Sequence, residues 1–143
     1  MIIRQISGDS AHLMPLLLIG DESEEMIMKY LPHAKIFAAS EGELDIAVCA
    51  IIEDNDWIEI KNLAVIPSRR RQGIGHKMLA YVESLYPAGK FRLGTGETPS
   101  TLHFYESCGY RYSHRIPDFF TDNYPKPIIE EGVTLKDMIY LVK

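Results

Sequence analysis

The chain has 143 residues, 46% of them hydrophobic and 24% charged, with a formal net charge of −5 at pH 7. This length fits one domain of common size, and the composition excludes a disordered chain because it offers enough apolar surface for a core. The acidic balance disfavours a dedicated nucleic-acid binder, which is usually basic overall.

The first part of the chain predicts a strand, two helices and three further strands. Apolar side chains that recur every three or four residues indicate the helices, and Pro15 marks a start or a break inside the first of them. The turn composition at 53–56 joins the last two strands, so we expect an antiparallel hairpin. The predicted strands are residues 1–6, 34–40, 43–53 and 57–66, and the predicted helices are residues 10–19 and 22–31.

The second part of the chain predicts two longer helices and three strands. From Gly73 the apolar period changes from two to three or four, which predicts a helix up to Pro87. Thr98 and Pro99 suit the N-cap and first position of the next helix, which Gly109 ends in the left-handed conformation. The remaining ranges are strands at 90–95, 110–116 and 136–143 and a Pro-rich aromatic loop at 117–132. This order predicts an α+β fold, a mixed sheet with helices on both faces, in a single domain over residues 1–143.

The segment RRRQGIGHKM, residues 69–78, contains a Gly-x-Gly between a strand and a helix. A P-loop requires Gly-Lys-Ser/Thr, but Lys77 follows a histidine and precedes Met78. A dinucleotide-binding fingerprint requires a third glycine, and Met78 stands in its place. The incomplete Gly94-Thr-Gly96 is an equally weak signal. Neither nucleotide-loop motif is therefore present at 69–78.

The same segment still predicts an anion site. Backbone N–H groups at a helix start, together with the helix dipole, favour a negatively charged group. Gly73 and Gly75 leave room for a phosphate to approach the backbone. Arg69, Arg70 and Arg71 add positive charge at the rim. A solvated basic turn at the surface explains the same residues equally well.

Two motifs carry a family resemblance. Residues 70–75 read RRQGIG after the strand IKNLAVIP at 60–67, and residues 98–110 read TPSTLHFYESCGY. The first resembles the Gln/Arg-x-x-Gly-x-Gly/Ala signature, and the second the Asn-x-x-Ala-x-x-Phe/Leu-Tyr-x-x-x-Gly-Phe/Tyr pattern, of the GNAT superfamily of acetyl-coenzyme A-dependent N-acetyltransferases. The resemblance covers the whole chain, and the two motifs stand in the family's order and spacing.

The resemblance implies a sheet that splays between two central parallel strands, 57–66 and 90–94, with acetyl-coenzyme A as the co-substrate in the gap. The loop 70–75 would hold the diphosphate through backbone N–H groups. The backbone at 63–65 would pair with the pantetheine arm as a neighbouring strand does. The residues expected to bind acetyl-coenzyme A are Leu63, Ala64, Val65, Arg70, Arg71, Gln72, Gly73, Ile74, Gly75, His76, Thr98 and Tyr105.

The resemblance also implies direct transfer of the acetyl group to an amine. The backbone N–H of Leu63, at a bulge where the strand starts to splay, would stabilise the oxyanion. Tyr105 would protonate the departing thiolate, although its position alone equally suits a core aromatic on an amphipathic helix. Thr98 stands where the family often has an asparagine that contacts the cofactor. A role as helix N-cap explains that threonine equally well.

Glu59 is the expected base, because it stands where some members of the family have a glutamate that takes the proton of the acceptor's ammonium group directly or through water. Period-two alternation puts Trp57, Glu59 and Lys61 on one face of the strand and Ile58 and Ile60 on the other. In the alternative, Glu59 and Lys61 form an ion pair on a solvated face, and the lysine weakens the base.

Two acidic segments are expected to border the acceptor site. Carboxylates beside aromatic faces suit a cationic amine, so we expect a small amine or polyamine, with a peptide or protein amine as the alternative. A solvated acidic helix and a loop pinned by its aromatic residues explain the same pattern. The residues are Asp21, Glu22, Glu24 and Glu25 in the first segment and Asp118, Phe119, Phe120, Asp122 and Tyr124 in the second.

Other functional classes are weighed against this one. A GNAT-fold module that binds acyl-coenzyme A as a sensor or regulator, without turnover, is an alternative. The acidic balance and the absence of a basic segment interleaved with aromatic residues count against RNA or DNA. The histidines show no metal-ligand spacing, so we expect no metal.

The compartment is predicted from the cysteines and from the lack of targeting segments. Cys49 and Cys108 are expected to be free thiols in a reducing compartment. No apolar run reaches the ~18–20 residues that span a bilayer, and the start is too short and polar for a signal peptide. We therefore expect a cytoplasmic protein without a membrane partner. Homodimers are common in the family, but no residue here requires one.

Overall fold

The computed structural model describes residues 1–143. Internal contacts divide the chain into two compact units, Met1–Gly89 and Lys90–Lys143. No helix is long and apolar enough to cross a bilayer. The single domain expected over residues 1–143 stays a prediction.

The first unit is an antiparallel sheet with three helices. The strands are β1 (Ile2–Ile6), β2 (Lys35–Glu41), β3 (Leu44–Asp54) and β4 (Trp57–Val65). The helices are α1 (Met14–Gly20), α2 (Glu24–Tyr30) and α3 (Ile74–Ser84). The strands pair in the order β1-β2-β3-β4, each antiparallel to its neighbour, so the predicted hairpin is confirmed.

Helices cover both faces of this sheet. On one face, Ala64 belongs to a buried cluster with Leu17 of α1 and Ile27 of α2. On the other face, the Phe37 ring lies edge-on to Tyr81 of α3, with 6.0 Å between ring centroids. Each fully buried apolar side chain contributes about 1.5–3 kcal/mol relative to exposure. These two layers of buried side chains therefore hold the strands between the helices.

Local signals set the starts of α1 and α2. Pro15 lies in the first turn of α1, after a short 3-10 turn at Ala11–Leu13, so this proline marks a start rather than a break. α2 begins after Ser23, whose hydroxyl accepts the Met26 N–H at 3.2 Å. α3 begins, like α1, without a side-chain cap, and the residue before it is Gly73 in the left-handed conformation.

The second unit contains the rest of the elements. They are β5 (Lys90–Gly96), α4 (Pro99–Ser107), β6 (Arg111–Ile116), α5 (Phe119–Asn123), β7 (Ile129–Glu130), β8 (Val133–Thr134) and β9 (Met138–Val142). β9 pairs antiparallel with β5 on one side and with β6 on the other. Gly109, with φ 95°, ends α4 as predicted. The prediction of a long loop at 117–132 is wrong, because these residues include α5 and one strand of the β7–β8 hairpin.

Candidate active site

The loop before α3 leaves the start of that helix open and without a side-chain cap. Gly73 precedes the first helical residue in the left-handed conformation, with φ 77°, and no side chain caps the helix. A Cβ at Gly73 would meet no atom within 4 Å, so the space beside it is open. Arg71 also has a positive φ of 63°, which is uncommon for a residue with a side chain. The N–H groups of the first turn of α3 can therefore point at an anion.

The three arginines of this loop have different roles. Arg69 forms an ion pair with Glu41 at the end of β2, and its Nε donates a hydrogen bond to Gln72 Oε1 at 2.9 Å. The same guanidinium lowers the pKa of the Glu41 carboxyl. Arg69 thus braces the loop, which corrects the expectation that it adds charge at the rim. Arg70 and Arg71 are exposed and supply that charge.

A β-bulge interrupts the pairing of β4 with β3. Ile60 lies opposite Ile51, but Asn62 lies opposite Ala50, so Lys61 is the extra residue on β4. One extra residue shifts the alternation of side chains by one, so Asn62 lies on the same face as Lys61. A strict period of two would have put Asn62 on the opposite face.

The bulge does not lie at Leu63, where it was expected. Leu63 lies opposite Cys49 in regular register, two residues beyond the bulge. Glu59, Lys61 and Asn62 all lie on the face that α1 and α2 cover, as their contacts show. The backbone of Leu63 therefore follows directly after a segment with three polar side chains on one face.

Glu59 and Lys61 form an ion pair beside an aromatic ring. The Lys61 Nζ lies 3.0 Å from Glu59 Oε2 and 5.8 Å from the centroid of the Tyr30 ring. The Glu59 side chain is 12% exposed and that of Lys61 31%. The predicted common face of Glu59 and Lys61 is confirmed, and the ion pair of the alternative interpretation is present, with Glu59 buried and Lys61 partly exposed.

Asn62, which sequence reasoning missed, ties the bulge to two helices. Its Nδ2 donates hydrogen bonds to the Leu17 carbonyl oxygen at 2.9 Å and to the Tyr30 hydroxyl at 3.0 Å. Its Oδ1 is buried, without a hydrogen-bond partner, 2.0 Å from the place where a Cβ on Gly20 would lie. The signal was an amide inside an otherwise apolar strand, because such a group is usually buried only when it is hydrogen-bonded.

Tyr30 completes this cluster from α2. Burial raises the pKa of its phenol to about 12, and the charge of Asp21 adds to the shift. The phenol therefore keeps its proton at neutral pH and presents a neutral ring to the Lys61 ammonium group. Tyr30 carried no separate signal in the sequence, since it is one of several apolar positions on its helix.

The acidic residues of the first segment mostly have local structural roles. Asp21 Oδ1 accepts the Ser23 N–H at 3.0 Å, and Glu24 and Glu25 lie in the first turn of α2, where the helix dipole favours negative charge. Glu22 is exposed. Of this set, Asp21 is the residue whose charge acts on the Tyr30 phenol.

Thr98 precedes α4 and Tyr105 lies on it, both in the second unit. Thr98 is the N-cap residue, but its side chain makes no capping hydrogen bond and is fully buried, so the N-cap explanation of this threonine is wrong. Tyr105 is 9% exposed, and the rings of Phe104 and Tyr110 lie edge-on to it at 5.0 and 5.9 Å. The role of Tyr105 as a proton donor stays a prediction.

The aromatic residues of the second acidic segment pack on one another. The Phe120 ring lies 5.3 Å from that of Phe119 and 5.6 Å from that of Tyr124. The Asp118 N–H donates a hydrogen bond to Asp137 Oδ1 at 2.9 Å. The ring contacts lie within the segment itself, so the interpretation that its aromatic residues pin it down stays a prediction.

The thiols and the potential metal ligands offer no further catalytic centre. No group of three or more His, Cys, Asp or Glu residues could hold a metal ion. Neither Cys49 nor Cys108 forms a disulfide bond. Burial raises the pKa of the Cys49 thiol to about 12, which makes it a poor nucleophile.

The chain is similar to known acetyltransferases over most of its length. Residues 32–112 match the family model of the acetyltransferase (GNAT) domain. The IAA acetyltransferase of Bacillus cereus is 33% identical, with a TM-score of 0.91 over 99% of this chain and 97% of that chain. A GNAT family acetyltransferase from Elizabethkingia anophelis with acetyl-CoA bound is 32% identical, with a TM-score of 0.91 over 99% and 95%. The uncharacterized N-acetyltransferase YvbK of Bacillus subtilis is 29% identical over 134 residues, 90% of this chain and 86% of that protein.

These likenesses define the class of the protein. The chain belongs to the GNAT family of acetyltransferases and is therefore an acyltransferase. The predicted α+β fold of the GNAT type is confirmed.

Proposed function

We propose that this acetyltransferase moves the acetyl group of acetyl-coenzyme A to a primary amine by direct attack, and that the acceptor is a small amine or polyamine. The observation that carries the proposal is the Glu59 carboxylate. It is largely buried on β4 and holds an ammonium group, that of Lys61, at 3.0 Å. A carboxylate that binds one ammonium group can bind, and then deprotonate, the ammonium group of an acceptor.

The start of α3 supports the donor half of the proposal. Acetyl-coenzyme A supplies an activated thioester and carries a diphosphate that needs an anion site. Residues 70–76 offer the N–H groups of the first turn of α3, with Arg70 and Arg71 exposed beside them. The backbone of residues 63–65 would pair with the pantetheine arm as a neighbouring strand does.

Three groups divide the chemistry. Glu59 takes a proton from the acceptor's ammonium group, so that the neutral nitrogen can attack the thioester carbon. The Leu63 N–H donates a hydrogen bond to the carbonyl oxygen as that oxygen gains negative charge. A new C–N bond forms as the C–S bond breaks, and the departing sulfur takes the proton of the Tyr105 hydroxyl. The nitrogen then gives up a second proton, which returns the Tyr105 phenolate to the neutral phenol.

The Glu59→Gln substitution tests the base. Glutamine keeps the shape and the hydrogen bond to Lys61 but cannot take a proton, so kcat should fall about 10²-fold or more while the Kd for acetyl-coenzyme A stays unchanged. The matched control is Glu53→Gln on β3, because Glu53 forms a similar ion pair with Lys35 at 2.9 Å, outside the proposed site. A Glu59→Gln enzyme with the kcat of the control would refute the assignment.

A further inference from the structure

On the face of β4 that α1 and α2 cover, a carboxylate and an aromatic ring together hold an alkylammonium ion. The ion is the Lys61 side chain, with its Nζ 3.0 Å from Glu59 Oε2 and 5.8 Å from the centroid of the Tyr30 ring. The two contacts are a charge-assisted hydrogen bond and a cation–π interaction. Tyr30 is held in place by its hydrogen bond from Asn62 at 3.0 Å, so the ring is a fixed part of this arrangement.

Lys61 also lies at the point where the proposed reaction needs an amine. Strand geometry separates Glu59 from Leu63 by roughly 13 Å, and Lys61 is midway between them. An acceptor nitrogen that gives its proton to Glu59 and attacks a carbonyl held by the Leu63 N–H has to lie between these two residues. This step rests on the proposed function, because it uses the roles assigned there to Glu59 and Leu63.

We propose that, in the absence of acceptor, the Lys61 ammonium group occupies the binding site of the acceptor's ammonium group. A primary alkylammonium acceptor then binds by displacing it. One ammonium ion enters as the other leaves, so the buried Glu59 carboxylate is paired before and after binding. An unpaired carboxylate in this position would be costly. Neutral and anionic compounds cannot make this exchange, which makes Lys61 a specificity-determining residue.

The lysine side chain is suited to such an exchange. It is unbranched and 31% exposed, whereas its partner Glu59 is 12% exposed, so the lysine can leave toward solvent while the carboxylate stays in place. The bulge adds to this freedom, because Lys61 is the residue without a partner in the β3–β4 register.

The test is a calorimetric titration of the full chain with butylammonium, in the absence of acetyl-coenzyme A. Wild type is compared with Lys61→Met, which keeps an unbranched stem without the charge, and with Lys61→Arg, whose planar guanidinium pairs more strongly with a carboxylate. We expect Lys61→Met to lower the Kd about five- to tenfold, which corresponds to the loss of one charge-assisted contact, and Lys61→Arg to raise it. Butanol should bind none of the three measurably. Lys29→Met, the same change at an exposed position of α2, should leave the Kd as in wild type.

The outcomes separate this inference from the proposed function. Equal Kd values for butylammonium in wild type, Lys61→Met and Lys61→Arg would overturn the inference, and so would equally tight binding of butanol to Lys61→Met. If Lys61→Met does not fold, the comparison of wild type with Lys61→Arg decides. Turnover is measured separately: a Kd series in the expected order with no acetylated product from any amine would contradict the proposed function alone.

Discussion

The closeness of Gly20 to Asn62 predicts that a glycine-to-alanine substitution in a helix, which usually stabilises a protein, will destabilise this one. Gly20 is the last residue of α1, and its φ is not positive, so alanine should fit the backbone and stabilise the helix by about 0.5–1 kcal/mol. A Cβ there, however, would lie 2.0 Å from Asn62 Oδ1 and 2.8 Å from its Cγ. The amide cannot move away without losing its hydrogen bonds to the Leu17 carbonyl and the Tyr30 hydroxyl.

Overpacking a buried site typically costs about 1–3 kcal/mol, which exceeds the gain in helix propensity. Gly20→Ala should therefore destabilise the protein by about 1–2 kcal/mol. In an Asn62→Ala background the obstructing amide is absent, and the same substitution should stabilise by about 0.5 kcal/mol. Urea unfolding of the wild type, both single variants and the double variant measures the coupling as a thermodynamic cycle. A Gly20→Ala protein that is more stable than wild type, or single effects that add in the double variant, would contradict a clash between residue 20 and Asn62.

Three further predictions follow from single residues. The pKa of the Tyr30 phenol is about 12 in the folded protein and near 10.0 in the unfolded chain. The contribution of Tyr30 to the free energy of unfolding is therefore fully present below pH 10 and is lost as the pH rises towards 12. Tyr30→Phe should remove part of this loss, measured as urea midpoints at increasing pH. Gly73→Ala places a side chain at φ 77°, so it should lower the free energy of unfolding by about 1–2 kcal/mol and raise the KM for acetyl-coenzyme A. Gly73→Asn should have smaller effects on both, and equal effects of the two substitutions would contradict the left-handed conformation. Tyr105→Phe should lower kcat about 10²-fold with an unchanged melting temperature if the hydroxyl protonates the thiolate, and an unchanged kcat would assign Tyr105 to the core.

The longer elements of the first unit could be predicted because their apolar patterns extend over many residues. β3, β4 and α3 each repeat their pattern over nine or more residues. α5 and the β7–β8 hairpin are too short to show a period. The hairpin turn consists of Glu131 and Gly132, with φ 51° and 76°, the backbone of a two-residue turn with two positive φ values. Its sequence differs from the usual Asn-Gly or Asp-Gly, and the hairpin was therefore missed.

The candidate site also contains residues that could be predicted from the sequence and residues that could not. The pairing of Glu59 with Lys61 follows from alternation along β4, which the sequence shows. The place of Asn62 on that face depends on a bulge, and no residue type specifies a bulge by itself. The bracing role of Arg69 depends on Glu41, 28 residues earlier in the chain, and a local reading of the basic loop cannot supply such a partner.

Incubation of the protein with acetyl-coenzyme A and a panel of amines tests the proposed acetyl transfer most directly, through the products that form. Mass spectrometry of the amines and thiol release are measured together, with Glu59→Gln as the control. We expect one acetyl group on a small alkylamine or polyamine, with thiol released in equal amount, and at least about a hundredfold less product from the variant. Calorimetric binding of acetyl-coenzyme A without product from any amine would contradict the account and would point to a binding module without turnover.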